Sequence, residues 1–478
     1  MDFTPTLTDD QVRQEAQAYV EEHFEDLVAD VTRLVSARSV EEPDKAEPGA
    51  PWGPGPRQAL DIALSLLDRE GLVTKDCDGY IGWGDLPGES DKLICMISHT
   101  DIVPEGTGWD TDPFVVSRRD GYLEGRGVAD NKGPWVTSLY VTKFLKELSE
   151  RLGRPFPYTI RCFVGCNEET GMGDVRWYLE HYPEPDFLFT PDGEWPLIYA
   201  EKGGFQTEFV SGDLGEDRVI LELAGGHVTN AIPFDAHAIV KADAASLPAA
   251  ERITLTDHGD GTCRIDGHGK GGHASLPEGT VNAIGLVTDY LYENGLCNER
   301  EREYLELERL IMGSTDGSTL GFASTDDTFD PTTCIGGTVE TRDGRFVQTI
   351  DSRYVTTVTG EQIESILTEL ARRHHATLGK VHNMDPSVGD KDSAPIRVLM
   401  DTWRELTGRD GEPLAIGGGT YARHFKHGVA FGPGDPSLPR PDWCGHAHSP
   451  NEVQREQSLK DAFVIYCVAI WRLMQVEI

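Results

Sequence analysis

His99 and Asp101 stand one residue apart in an apolar run, Ile94–Val103, whose composition suits a buried strand. Alternate side chains of a strand share one face, so the imidazole and the carboxylate should point the same way. Imidazole is a common metal ligand, and its second ring nitrogen usually needs a carboxylate to orient it. Most His-x-Asp pairs form only ordinary hydrogen bonds. This pair therefore indicates a metal site only if further ligands occur elsewhere in the chain.

Candidate ligands follow other predicted strands and loops. Asp130 lies in the glycine-rich loop Gly125–Gly133, where backbone can approach another group closely, although an isolated Asp there could simply cap the next helix. Glu168 and Glu169 follow a strand predicted at Tyr158–Gly165. Adjacent carboxylates repel each other unless cations or protons intervene. One could bind a metal while the other handles a proton, but such a pair is more often a solvated turn.

Asp192 follows an apolar strand predicted at Phe187–Thr190, although its Asp-Gly context is also typical of a turn. A second nitrogen ligand has two candidates, His446 and His448, just before the last predicted helix. The residues alone do not choose between them. Segments that end in His, Asp or Glu and converge on one sheet edge are how an α/β sheet builds a site.

Competing motifs are weak or missing from the sequence. We find no G-x-x-x-x-G-K-S/T phosphate loop, no G-x-S-x-G elbow and no H-E-x-x-H pair. Gly267–Gly272 matches G-x-G-x-x-G, but Pro277 and Gly279 follow soon after, so no clean helix opens there to hold a pyrophosphate. Cys162 and Cys166 lie in a strand-like apolar run and are expected to be core thiols.

The elements that must position these residues alternate between strand and helix over residues 1–203, which predicts an α/β layer with a largely parallel sheet. Residues 204–383 change to short strands with polar turns, interrupted by helices. The α/β pattern resumes over 384–478 and closes with a helix. The predicted fold class is therefore α/β: one domain with a mostly parallel sheet flanked by helices, interrupted by an inserted α+β domain. In the inserted domain, two sets of antiparallel strands with helices form two halves.

Composition limits the classes of function. A chain of 478 residues exceeds one ordinary core, so two domains are expected. The formal charge of −38 argues against binding nucleic acid or anionic membrane through a general electrostatic surface. No apolar run approaches the roughly 18 residues of a membrane helix, and the first residues do not read as a signal peptide. We expect a soluble cytoplasmic protein without a disulfide framework.

The sequence contains, in this order, the segments Ser98–Pro104 (SHTDIVP), Gly125–Gly133 (GRGVADNKG), Asn167–Gly171 (NEETG) and His448–Glu452 (HSPNE). Together these four segments resemble the M20 family of zinc peptidases. Pro191–Gly203 and Gly417–Arg423 narrow the resemblance to the dipeptidase V branch. The inserted domain is long enough for two lid halves. In this respect it is more similar to the dipeptidase V branch than to dimeric relatives, which have a single lid. The resemblance thus implies an inserted lid domain and a monomer.

By this resemblance, His99 and Asp192 hold one Zn²⁺, Glu169 and His448 hold a second, and Asp130 bridges them. Imidazole and carboxylate ligands without thiolate suit Zn²⁺, with Mn²⁺ or Co²⁺ as possible substitutes.

The resemblance also implies roles beside the metals. Asp101 orients His99, and Glu168 is the general base that takes a proton from water and passes it to the leaving amine. In the lid, His273 stabilises the developing oxyanion. His227 and His268 lie nearby in sequence and are alternatives to His273.

Substrate contacts are implied as well. Asn230 and Arg353 of the lid resemble residues that grip the terminal carboxylate of the substrate, a task suited to the bidentate guanidinium. Gly418, Gly419 and Tyr421 would add contacts from the catalytic domain. The carboxylate that receives the free amine is left open between the neighbourhood of Asp192 and Glu194.

The implied reaction is hydrolysis of a dipeptide with a free amino terminus, because a lid that caps both ends excludes longer peptides and water. One alternative is an N-acyl-amino-acid deacylase of the same family, which needs the same metals but no site for a free amine. Another is a metal-free binding protein on this fold. The full set of ligands favours an enzyme.

Overall fold

The computed structural model describes residues 6–478, which divide into two compact units. The first unit contains the residues up to Ala200 together with Val388–Leu414 and Gly419–Ile478. The second contains Glu201–Ser387 and the short segment Ala415–Gly418. Gly418, assigned to the catalytic domain from sequence, therefore belongs to the second unit.

The helices begin and end where sequence signals favour it. The first is 27 residues long, and Thr8 and Gln11 form a capping box at its start. The helix after the Asp130 loop ends at Gly153, whose φ of 66° is left-handed. The helices are α1 (Asp9–Val35), α2 (Pro54–Arg69), α3 (Lys132–Leu152), α4 (Gly173–His181), α5 (Ala283–Glu293), α6 (Glu299–Met312), α7 (Gly360–Arg373), α8 (Ala394–Thr407) and α9 (Glu456–Leu473).

The main sheet of the first unit is parallel at its centre and antiparallel towards its edges. The largely parallel α/β arrangement predicted from sequence is confirmed at the centre of this sheet. Seven of its nine strands are, in sheet order, Val73–Asp76, Gly82–Leu86, Thr159–Gly165, Leu93–His99, Phe187–Thr190, Gly428–Ala430 and Ile198–Glu201.

The central strand Leu93–His99 is buried on both faces, which explains its continuous apolar sequence. Ile94 and Met96 face the core that α1, α3 and α9 form with one another. Cys95 and Ile97 face the opposite core beside α4. The strand is therefore held rigidly, and so is its last residue, His99.

The second unit contains a nine-stranded antiparallel sheet, in which the two sets of strands predicted from sequence join where Gly203–Ser211 pairs with Arg345–Tyr354 and where Gly225 pairs with Val339. In sheet order the strands are Ile253–Asp257, Cys263–His268, Asp235–Val240, Ile220–Gly225, Thr333–Arg342, Arg345–Tyr354, Gly203–Ser211 and Ala376–Leu378, and His382–Met384 also pairs with Gly203–Ser211. Helices α5, α6 and α7 pack against it around a separate apolar core.

Short ribbons complete the two units. Ser117–Arg119, Tyr122–Glu124 and Val453–Arg455 form a three-stranded sheet in the first unit, where Gly193–Glu194 also pairs with Pro433–Gly434. Ala231–Ile232 pairs with Gly272–His273 in the second unit. Ser387–Val388 and Leu414–Ile416 are further short strands near the passages between the units.

Candidate metal centre

The parallel strands at the centre of the first unit end at one edge of the sheet, and the candidate ligands follow them. His99 is the last residue of the middle strand. The turn that carries Glu168 and Glu169 follows one neighbouring strand, and Asp192 follows the other. The carboxyl edge of the sheet therefore brings three of the predicted segments together.

Asp130 lies between the two histidines predicted to bind metal. Its Oδ1 is 2.9 Å from Nε2 of His99, and its Oδ2 is 2.9 Å from Nε2 of His448. Nε2 of His99 is also 3.5 Å from Asp192, and Nε2 of His448 is 3.1 Å from Glu169. One carboxylate thus directs each of its oxygens at a different imidazole.

Of the two histidines that the sequence alone could not separate, the structure brings only His448 to this cluster among the described residues. Nδ1 of His446 instead lies 3.2 Å from Nη1 of Arg440. His448 has a left-handed φ of 64°, so the backbone turns sharply where its ring enters the cluster.

Asp101 supports the cluster in two ways. Nδ1 of His99 lies 3.0 Å from the main-chain carbonyl of Asp101 and 3.4 Å from its carboxylate. The other carboxylate oxygen accepts the backbone N–H of Glu169 at 3.1 Å. The nearer partner of the ring is thus the carbonyl rather than the carboxylate expected from sequence, and the carboxylate ties the Glu169 turn to the His99 strand.

The electrostatics of the cluster show an excess of buried negative charge. Burial raises the pKa of Glu169 to about 7 and that of Glu168 well above its usual range, with further increases from neighbouring carboxylates. Hydrogen bonds to Asp130 and Glu169 raise the pKa of His448 to about 11. Burial alone would lower the pKa of His99, but its carboxylate partners raise it well above its usual value.

The residues present fit divalent cations. The cluster brings five carboxylates and two imidazoles together, those of Asp101, Asp130, Glu168, Glu169, Asp192, His99 and His448. Glu169 Oε1 is buried and has no hydrogen-bond partner among residues 6–478. Atoms of His99, Glu168 and Asp192, and likewise of His99, Asp130 and Glu169, lie within 4.8 Å of one another. Oxygen and nitrogen donors without thiolate match hard or borderline metals such as Zn²⁺.

Two further residues support the candidate ligands through hydrogen bonds. Neither of them was assigned a role from the sequence. The side-chain amide of Asn131 donates to the Asp192 carboxylate and to the carbonyl of Pro191, both at 2.9 Å. Asp174, at the start of α4, accepts the backbone N–H groups of Cys166 and Asn167 at 2.7 and 3.0 Å. Both lie in or near motifs visible in the sequence, but their partners are outside those motifs or on the main chain.

Tyr421 does not fit the predicted substrate contact. Its side chain is completely buried, and its hydroxyl donates to Asp174. It therefore fixes the turn that leads to Glu168 from within the core. Gly419 belongs to the first unit, whereas Gly418 groups with the second.

The second unit carries the remaining candidates. Nδ1 of His273 accepts the backbone N–H of Ser275 at 3.2 Å and lies 2.7 Å from its hydroxyl, so the ring proton is assigned to Nε2. The guanidinium of Arg353 donates to both oxygens of Asp351 at 2.8 and 3.1 Å. Asn230 is exposed. Its carbonyl accepts the backbone N–H of Ala274 at 3.0 Å.

The alternatives to His273 have other partners. Nε2 of His227 lies 3.3 Å from Asp235, and Nε2 of His268 lies 2.9 Å from the hydroxyl of Thr254.

No helix within residues 6–478 is long and apolar enough to cross a membrane.

The sequence model of peptidase family M20/M25/M40 matches residues 95–472. A Staphylococcus saprophyticus protein that bears the name "putative dipeptidase" is 30% identical over 472 residues, covering 95% of this chain and 98% of its own. The β-Ala-Xaa dipeptidase of Lactobacillus delbrueckii subsp. lactis is 28% identical over 471 residues, covering 94% and 96%.

Solved structures agree on the fold. The dipeptidase Dug1p of Saccharomyces cerevisiae matches with a TM-score of 0.59 at 13% identity, covering 98% of this chain and 99% of its own. Human carnosine dipeptidase 1 matches with a TM-score of 0.56 at 16% identity, covering 97% and 100%.

Proposed function

Because this chain belongs to peptidase family M20/M25/M40, we propose that it hydrolyses the peptide bond of dipeptides with a free amino terminus. The observation that carries the proposal is the Asp130 carboxylate, whose two oxygens face His99 and His448 separately. This arrangement suits a bridge between two cations. Relatives that match nearly the whole chain are named as dipeptidases, which supports the substrate class.

We assign the metal ligands as the residue types favour. His99 and Asp192 would hold one Zn²⁺, Glu169 and His448 the other, and Asp130 both. Two such ions, when bound, polarise the scissile carbonyl and make water acidic near neutral pH. Mn²⁺ or Co²⁺ would fit the same donors.

Glu168 would carry the proton. Its carboxylate accepts a proton from the attacking water and delivers it to the nitrogen of the leaving amine. Burial and the surrounding carboxylates raise the pKa of Glu168 above its usual range. Glu169 cannot take this role so readily, because it is already engaged with His448 at 3.1 Å.

The second unit would act as the lid. The Nε2–H of His273 is the donor for the oxyanion, and its Nδ1 contact with Ser275 keeps that tautomer in place. Arg353 and Asn230 would bind the terminal carboxylate of the substrate. Asp351 holds the guanidinium of Arg353 through two hydrogen bonds and so preorganises it.

One pair of substrates tests this function against N-acyl-amino-acid deacylation. A dipeptide and its N-acetylated form are compared at equal concentration in the presence of Zn²⁺, by release of the C-terminal amino acid. We expect the free dipeptide to be cleaved at least ~10-fold faster in kcat/KM, a difference of about 1.4 kcal/mol. Faster cleavage of the acetylated form would instead assign the deacylase activity.

A further inference from the structure

Glu452 is the last residue of the His448–Glu452 segment, and its side chain is completely buried. Its Oε1 accepts the backbone N–H groups of Gly127, Ala129 and Asp130 at 3.1, 2.9 and 3.2 Å. Its Oε2 accepts from Nη1 of Arg126, also buried, at 2.5 Å. All of these donors belong to the loop that carries Asp130, so one carboxylate organises that loop.

The main chain of Glu452 binds the same loop. Its carbonyl accepts the backbone N–H of Gly125 at 3.0 Å. The strand that begins at Val453 pairs with the strand that ends at Glu124, immediately before the loop. The segment that carries His448 and the loop that carries Asp130 are therefore fastened to each other at Glu452.

We propose that Glu452 is a positioning residue of the metal centre, because its carboxylate holds the Asp130 backbone where the Asp130 oxygens face both histidines. This inference rests on the proposed function, since it assigns Glu452 a role towards the two-zinc site. Fold stability alone is a weak reason for this ion pair, because buried ion pairs can often be replaced by apolar residues without loss of stability.

The hydrogen-bond chemistry requires a carboxylate while Arg126 is present. Both oxygens of Glu452 face donors only. An amide side chain has one acceptor oxygen and one NH₂ group. In E452Q, either orientation would set the NH₂ group against the backbone N–H groups or against the guanidinium. A buried donor that faces another donor is costly.

Two double variants separate this role from a merely structural one. R126M/E452Q and R126M/E452M both remove the ion pair and keep similar side-chain volumes, but only the first keeps an acceptor for the backbone N–H groups of the loop. The measured quantity is the Zn²⁺ dissociation constant of the folded protein, by competition with a chromophoric chelator. We expect R126M/E452Q to bind Zn²⁺ at least ~10-fold more tightly than R126M/E452M, the usual scale for groups that support a ligand from behind.

The single variant E452Q should bind Zn²⁺ more weakly than R126M/E452Q, because removal of the guanidinium relieves the donor–donor contact. If E452Q does not fold, the two double variants decide the question by themselves. Equal Zn²⁺ dissociation constants for the two double variants would overturn the proposal.

A matched control is E301M in the second unit. Glu301 is also completely buried and also accepts backbone N–H groups, those of Val219 and Ile220 at 3.1 and 3.0 Å. Its loss should lower the melting temperature and leave the Zn²⁺ dissociation constant of the folded protein within ~2-fold of wild type. A failure of the wild-type protein to bind Zn²⁺ or cleave a dipeptide would count against the proposed function itself, and is measured separately.

Discussion

Glu168 and Glu169 are neighbours in sequence, but their carboxyl groups have different surroundings. Glu169 contacts His448 at 3.1 Å, and its backbone N–H is held by Asp101. Among the described residues, the Glu168 side chain has no comparable hydrogen bond or ion pair. Burial raises the pKa of Glu168 well above its usual range. These different surroundings support the proposal that Glu169 is a metal ligand and that Glu168 carries the proton.

We predict that E168Q lowers kcat for dipeptide hydrolysis by roughly 10²–10⁴-fold, because the amide cannot accept the proton of the attacking water. Its zinc content should equal that of wild type, since Glu168 is not assigned as a ligand. The matched variant E169Q should lose zinc as well as activity. The measurements are steady-state kinetics and elemental analysis on the same samples, and near-normal turnover by E168Q would refute the assignment of the base.

At the residue scale, the sequence predicted the side chains of the cluster better than it predicted the residues that hold those side chains in position. The cluster around Asp130 contains the residues expected from the motifs, and their roles stay predictions until they are tested. Asn131, Asp174 and Glu452 were missed as supporting residues because their partners are backbone groups or distant side chains. Contacts of that kind leave no spacing pattern in a sequence.

At the element scale, the turn between the strand Thr159–Gly165 and α4 is held by the buried pair Asp174 and Tyr421. Burial raises the pKa of Asp174 to about 6, so at pH 7 it is largely ionised and the Tyr421 hydroxyl donates to a charged acceptor. Such hydrogen bonds contribute more than those between neutral groups.

We predict that Y421F destabilises the protein by about 2 kcal/mol, the scale of a hydrogen bond to a charged group, and also lowers kcat. The matched control is Y466F, which removes a buried hydrogen bond of 2.7 Å from Tyr466 to the carbonyl of Phe431. It should reduce the melting temperature without changing kcat. Thermal denaturation and kinetics on both variants check this, and a normal kcat for Y421F would show that the turn does not depend on Tyr421.

Glu308 of helix α6 is a further buried carboxyl group, and its ionisation makes the stability of the fold depend on pH. Neither oxygen of Glu308 has a hydrogen-bond partner within 3.5 Å among residues 6–478. Burial raises its pKa from 4.5 to about 8, against a smaller opposing effect of Tyr304. The folded state therefore retains a proton that the unfolded state releases. The contribution of Glu308 to stability is complete below about pH 4.5 and is lost as the pH rises through 8.

We predict that E308Q becomes increasingly more stable than wild type between pH 5 and pH 9. The difference should grow by up to about 5 kcal/mol, at 1.36 kcal/mol for each unit of pKa shift. Urea denaturation of both proteins across this range measures it. A difference that is independent of pH would mean that Glu308 is not protonated in the folded protein.

The elements themselves were predicted unevenly. The apolar strand Phe187–Thr190 was predicted at its observed bounds, and the strand predicted at Tyr158–Gly165 begins one residue later, at Thr159. Helix α8 was not assigned, because Pro395 near its start and the surrounding polar residues obscure its apolar face. The joining of the second-unit strands into one sheet depends on long-range pairing, which local patterns do not encode.

At the scale of the whole molecule, the dominant property is the net charge of −38. Carboxylates repel one another over the surface and disfavour the compact state. Salt shortens the range of this repulsion, from about 10 Å at 0.1 M to about 3 Å at 1 M.

We therefore predict that raising potassium chloride from about 0.1 to 1 M increases the melting temperature. Sucrose at matched osmolality is the control, because it changes hydration without screening charge. Calorimetry measures the shift, and a melting temperature that falls or stays constant in potassium chloride would contradict the role of charge repulsion.

We propose that Asp130 bridges two metal ions between His99 and His448. The most direct test is the zinc content of protein equilibrated with Zn²⁺ and dialysed, measured by elemental analysis for wild type and D130A. We predict two Zn²⁺ per wild-type chain, as in two-metal hydrolases, and fewer than one in D130A, because both ions lose a shared ligand. Wild-type protein with no zinc, or D130A that retains both ions, would contradict the bridge.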